Sequence, residues 1–190
     1  MRSDRLVQRL SCRSQQCVVS HPNSLRTYPL TRSNTQADFP SRLYDVELCY
    51  TNLRELPDNL DSKWLLGMMI CIEYGQLTSV PSVLIRLMPY SLVLTGNPIN
   101  ELPPELFQIE DMLCLSIGST KITELPRNVT SFSPLLSSIY MTHTNVSSFW
   151  SWINPLLNRT ADSSSSLLVG HSPYCTDLGK IMSGDSLILA

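Results

Sequence analysis

The chain has 190 residues, 43% of them hydrophobic and 16% charged, with a net charge of −2, a balance that suits one soluble folded domain. No apolar stretch reaches the roughly 18–20 residues that a bilayer requires, the longest lying near Trp64–Ile72, so no membrane span is expected. The small net charge hides a split: residues 1–42 carry seven Arg and two acids, whereas residues 43–190 carry seven basic and fourteen acidic side chains.

In chain order, residues 1–42 come first. They lack apolar periodicity and read as a disordered basic arm. The arm has no dense Lys/Arg block and no interleaved aromatics, so no nucleic-acid partner is expected. Arg2, Asp4, Arg5 and Arg9 interrupt any apolar core that a signal peptide would need.

From Leu43 a period takes over. Leu56-Pro57, Val80-Pro81, Leu102-Pro103 and Leu125-Pro126 follow one another at steps of 24, 22 and 23 residues. A fixed period of this length marks stacked repeats. Apolar pairs two residues apart precede each turn: Val46/Leu48, Ile70/Ile72, Leu92/Leu94, Leu115/Ile117 and Ile139/Met141. Such a pair lies on one face of a short strand. After each turn comes Leu53, Leu77, Ile99, Ile122 or Val146. Then come Leu56, Val80, Leu102, Leu125 and Phe149, followed by Leu60, Leu84, Leu106, Val129 and Ile153. Each coil thus turns about five apolar side chains inward, and none can bury them without a neighbour.

The shared frame is L-x-L-x-x-N-x-L-x-x-L-P-x-x-L. It resembles the leucine-rich repeat family, in its Leu-Pro variety, over residues 43–157. The resemblance implies an α/β solenoid: a parallel sheet on the concave side, with short helical or irregular turns on the convex side. The family's turn Asn can bond backbone groups of the next coil. Here that position holds Thr51, Gly75, Asn97, Thr120 and Thr144, so only the third coil fits and the second is the weakest match.

Past the fifth repeat, Trp150 and Trp152 read as aromatics that cover the end of the core. Residues 158–190 divide into a polar loop, a terminal strand and turn over 167–175, and one helical turn over Asp177–Met182. The phrase Gly170-His-Ser-Pro-Tyr-Cys175 looks like the entry to a C-terminal flanking cap of the family, with His171 where Asn is usual.

Catalysis requires a nucleophile or acid–base pair beside stabilising donors. His171, Cys175 and Asp177 have suitable residue types but share one turn, and no phosphate loop or kinase signature occurs, so an enzyme is not expected. No C-x-x-C pair is present and no metal site or cofactor is expected. Cys49, Cys71 and Cys114 fall on outward strand positions, and thiols are the default state except at Cys175. The sequons at Asn128, Asn145 and Asn158 carry little weight, since ten Asn among 40 Ser and Thr give about two by chance.

What remains is the outward sheet face. It offers an acidic end with two tyrosines, a middle trough of small residues, and a far end with Tyr140 and His143. Tyr anchors interfaces well because it brings area and a polar handle. Glu47, Tyr50, Glu73, Tyr74, Thr95, Ser116, Tyr140 and His143 are the expected partner-binding residues. The expectation is a monomeric, noncatalytic module that binds a protein or peptide. The alternative is a fragment of an extracellular receptor-type ectodomain from a larger membrane-anchored protein. Taken literally the chain is cytoplasmic; as a fragment it is extracellular or membrane-associated.

Overall fold

A computed structural model describes residues 44–159 and 166–183. The basic arm expected over 1–42, Leu43 and the polar residues 160–165 lie outside the described residues. The architecture is α/β, with a six-stranded parallel sheet whose strand order follows chain order, β1 to β6. The strands are β1 (Asp45–Cys49), β2 (Met69–Glu73), β3 (Ser91–Val93), β4 (Cys114–Ser116), β5 (Ser138–Tyr140) and β6 (Ser166–Leu168).

The register is uniform. Val46, Ile70, Leu92, Leu115, Ile139 and Leu167 form one cross-strand row, and every member is buried. Leu94, Ile117, Met141 and Val169 continue the core face beyond the strand ends. The residues expected after the turns, Leu77, Ile99, Ile122 and Val146, are fully enclosed. The first segment is the loosest, with Leu48 and Leu53 only half-buried.

The second and third returns begin with extended backbone at their prolines and then tighten. Pro81 leads into α1 (Ser82–Arg86) and Pro103 into a 3-10 turn at Pro104–Gln108. Proline suits these places because the first helical turn leaves its N–H groups unbonded in any case. The fifth return has a 3-10 turn at Ser151–Ile153 that runs into α2 (Asn154–Arg159). Neighbouring returns are tied together on their exposed side. The Arg86 guanidinium donates to Asp61 at 2.6 Å and to the Asp58 carbonyl, and this bond holds the Asp61 carboxyl below its usual range.

Asn97 is completely buried and makes three bonds. Its Oδ1 accepts from the Leu77 N–H at 3.2 Å, and its Nδ2 donates to the carbonyls of Ile72 (2.7 Å) and Leu94 (3.0 Å). Two of the three reach back to the preceding segment, not forward as expected from sequence. The same geometry explains Gly75. A Cβ at Gly75 would stand 2.7 Å from Asn97 Oδ1, so the apparent weakness of the second segment is the space that Asn97 fills. Thr120 and Thr144 donate within their own segments, to the carbonyls of Ile117 and Met141 at 2.8 Å each.

At the C-terminal end both indoles pack against the core, as expected, and they lie against the fourth return. Trp150 Nε1 donates to the Leu125 carbonyl (3.0 Å) and Trp152 Nε1 to the Pro126 carbonyl (2.8 Å). Trp152 also packs on Phe107, with ring centroids 4.8 Å apart. The helix expected as one turn is α3 (Pro173–Ser183), of eleven residues. Its start was readable: Ser172 accepts from the Cys175 N–H at 3.3 Å as an N-cap, and Pro173 takes the first helical position. Tyr174 of α3 meets Phe149 edge-on at 4.8 Å and covers the side of the fifth segment.

Candidate functional site

The most exposed aromatic side chain, Tyr50, lies where a strand ends. The residue before each turn adopts a left-handed φ: Tyr50 (54°), Tyr74 (50°), Gly96 (75°), Ser119 (52°), His143 (58°) and His171 (59°). A non-glycine residue in this conformation costs about 1–2 kcal/mol. The fold over-determines it with a ladder of hydrogen bonds. Each N–H donates to the next segment: Tyr50 to Glu73, Tyr74 to Thr95, Gly96 to Gly118, Ser119 to Thr142 and His143 to Gly170, all at 2.8–2.9 Å.

Tyr50, Tyr74 and His143 face outward, as the sequence suggested, but not through strand alternation. Strand alternation would turn Cys49 outward and Tyr50 inward. The left-handed residue breaks the alternation, and Tyr50 is 80% exposed. The result is a rim of side chains along the ends of the strands.

At one end of the rim, Tyr50 and Tyr74 stack face to face, with centroids 4.7 Å apart and planes within 4°. Tyr74 is 40% exposed, and its ring overlies Gly96, where a Cβ would come within 2.5 Å of it. At the other end His143 and His171 stack at 4.2 Å. Between the pairs is an open depression of about 480 Å³, bounded by Gly96, Pro98, Ser119, Lys121 and His143. His171 was not among the expected binding residues. Its place one residue before the turn, equivalent to His143, is the signal that could have found it.

On the sheet face proper, Glu47 is exposed and Glu73 half-buried. The middle is not an open trough. Ser116 is only 6% exposed, and Met69, Ser91 and Val93 are also buried. Register gives the reason: Ser91 sits between Met69 and Cys114, and Ser116 between Val93 and Tyr140, so short side chains lie sunk between taller ones. Thr95 and Ser116 spend their hydroxyls on each other at 3.0 Å. Tyr140 is half-buried on β5, three strands from β2, or roughly 14 Å at the usual strand spacing. The expected residues therefore form two groups: Glu47, Tyr50, Glu73 and Tyr74 at one end, and Tyr140 and His143 at the other.

The structure also assembles a cluster absent from the sequence reading. Cys49 pairs in register with Glu73, and Cys71 with Glu47, across β1 and β2. This brings ligand atoms of Cys49, Cys71 and Glu73 within 4.8 Å of one another. Neither Cys49 nor Cys71 takes part in a disulfide, whereas Cys175 is disulfide-bonded. Burial, and then the Glu73 carboxylate, push both thiols above their ordinary range. A search for C-x-x-C could not find this set. The two cysteines are separated by about one repeat period and meet only through strand pairing.

His171, Cys175 and Asp177 are engaged separately. His171 stacks on His143, and Asp177 pairs with Lys180 at 3.1 Å. No helix among the described residues is long and apolar enough to cross a membrane. In comparisons with known proteins, no family model matches the chain and no curated protein is significantly similar to it.

Proposed function

We propose that this chain is a noncatalytic recognition module of the leucine-rich repeat type, a short solenoid that binds a protein or peptide along its exposed sheet face and rim. The observation that carries the reading is the stacked Tyr50–Tyr74 pair, held outward by left-handed backbone beside Glu47 and Glu73. Two aromatic rings kept at a solvent-facing edge by strained backbone are fixed before any partner arrives. Tyr50 makes little use of burial, so its ring area is available for contact. The adjacent acids favour a partner with basic side chains.

Peptides selected by display on the full chain provide the test. Tyr50→Ala and Tyr74→Ala are expected to weaken the selected ligands at least about tenfold, the usual effect of truncating an anchor. The loss of stability should stay near the value of one aromatic pair, about 0.5–1.5 kcal/mol. Tyr140→Ala reports on the far group. Ligands that bind all three variants with unchanged affinity would remove this face from consideration.

The second reading, a fragment of a receptor-type ectodomain from a larger membrane-anchored protein, is favoured by the disulfide at Cys175 and by the exposure of Asn128, Asn145 and Asn158. Intact mass of the native product before and after glycosidase treatment separates the two. Glycan mass on those asparagines selects the ectodomain; unmodified asparagines select the intracellular module.

A further inference from the structure

The geometry points to a binding site for a soft divalent cation of the zinc class on β1 and β2, formed by the sulfurs of Cys49 and Cys71 and a carboxylate oxygen of Glu73. The three ligand atoms come from two adjacent strands whose register fixes their spacing. Cys49 Sγ lies 3.9 Å from Glu73 Oε2, and all three atoms fall within 4.8 Å of one another. A tetrahedral ion with metal–sulfur bonds of about 2.3 Å needs sulfurs roughly 3.8 Å apart, and sulfur to carboxylate oxygen about 3.5 Å. Rotamer adjustments of an ångström or less close that gap, with no movement of the sheet.

The donor types select the cation. Two sulfurs beside one carboxylate suit zinc and its relatives, and do not suit magnesium or calcium, which prefer oxygen sets. All three side chains are half-buried, which lowers the competition from bulk water without sealing the site. On binding, each thiol releases its proton to solvent as its metal–sulfur bond forms. Three protein ligands leave a fourth position of a tetrahedral ion, which a water or a group supplied by a partner can complete.

The test uses the full chain, reduced with a phosphine, and Co²⁺ as the spectroscopic probe. One equivalent of Co²⁺ should produce a near-ultraviolet thiolate-to-cobalt band with visible bands of tetrahedral intensity, and Zn²⁺ should bleach both. Cys49→Ser and Cys71→Ser should each weaken Co²⁺ binding at least about tenfold, and Glu73→Gln by a similar factor; Cys114→Ser should leave it unchanged. Wild-type protein gives a readout that does not depend on how the variants fold. Zn²⁺ should protect Cys49 and Cys71 from alkylation while Cys114 reacts as before. The absence of a charge-transfer band in the reduced wild type, a band that survives the Cys49→Ser/Cys71→Ser double variant, or alkylation indifferent to Zn²⁺ would each overturn the assignment.

Discussion

Asn97→Ala is expected to lower stability by about 3–5 kcal/mol, because it strips partners from three buried backbone groups at once. The Leu77 N–H and the carbonyls of Ile72 and Leu94 all bond to this one side chain. None of them can turn to water without opening the second turn. The loss is a large fraction of the 5–15 kcal/mol that holds a typical domain together. Asn97→Asp should not rescue it. The acceptor toward Leu77 survives, but an oxygen then faces the two carbonyls that Nδ2 had served. Denaturant titration of both variants, followed by far-ultraviolet circular dichroism, measures the effect. A shift below 1 kcal/mol for Asn97→Ala would mean that the tie between the second and third segments is not made by this amide. Gly75→Ala probes the same joint from the other side, since its methyl would meet Asn97 Oδ1 at 2.7 Å.

Phe107→Ala carries the second large effect, about 3–5 kcal/mol, as expected for removing a wholly enclosed aromatic. Phe107 heads the fully buried side chains of this core by volume. Its ring lies against Trp152, and its carbonyl accepts from the Ser133 N–H at 2.8 Å, so the third, fourth and fifth segments meet at this residue. Trp152 is anchored on the other side by its bond to Pro126 and by Phe132 at 5.8 Å. The indole is therefore expected to remain in place while a cavity opens beneath it, and Trp fluorescence should report water entering that cavity. Phe107→Leu should recover more than half of the loss. A double-mutant cycle with Trp152→Phe isolates the ring–ring contribution, expected at about 0.5–1.5 kcal/mol. A cycle energy near zero would show that the two rings are neighbours without being coupled.

Both predictions concern residues that the sequence marked unequally. Asn97 was visible as the one turn residue in its expected place, yet its direction of action was misread. An amide beside a turn can reach either neighbour, and the choice falls to whichever side leaves room; here Gly75 leaves it. Phe107 follows Leu106 in a return segment, and nothing in its spacing distinguishes an enclosed ring from an exposed one. The Trp pair shows the same limit. Composition said that Trp150 and Trp152 would be buried against something, but only the fold shows that their N–H groups find successive carbonyls of the fourth return.

The candidate site was legible in its parts. Glu47, Tyr50, Glu73 and Tyr74 were selected as outward residues, and they gather at one end of the sheet. The middle was misjudged because small side chains were equated with open space. On a pleated sheet a serine between Met69 and Cys114 is enclosed by its neighbours. What turns the rim residues outward was not legible, because it depends on the sign of φ. Tyr, Ser and His do not advertise a left-handed conformation as Gly does, and only the repeat of the same backbone bond in five successive segments holds them there.

By itself the sequence determined the period, the inward-facing set and therefore the parallel order of the strands. Burial side is written into local spacing, and a repeat of about 23 residues returns each strand to the flank of the one before. Tertiary structure decided what stands next to what across that spacing: Asn97 in the space above Gly75, Trp152 on Phe107, Tyr50 on Tyr74, and two cysteines one repeat apart beside Glu73. Those contacts depend on strand register and on turn dihedrals, which are settled only when neighbouring segments pack and share their hydrogen bonds.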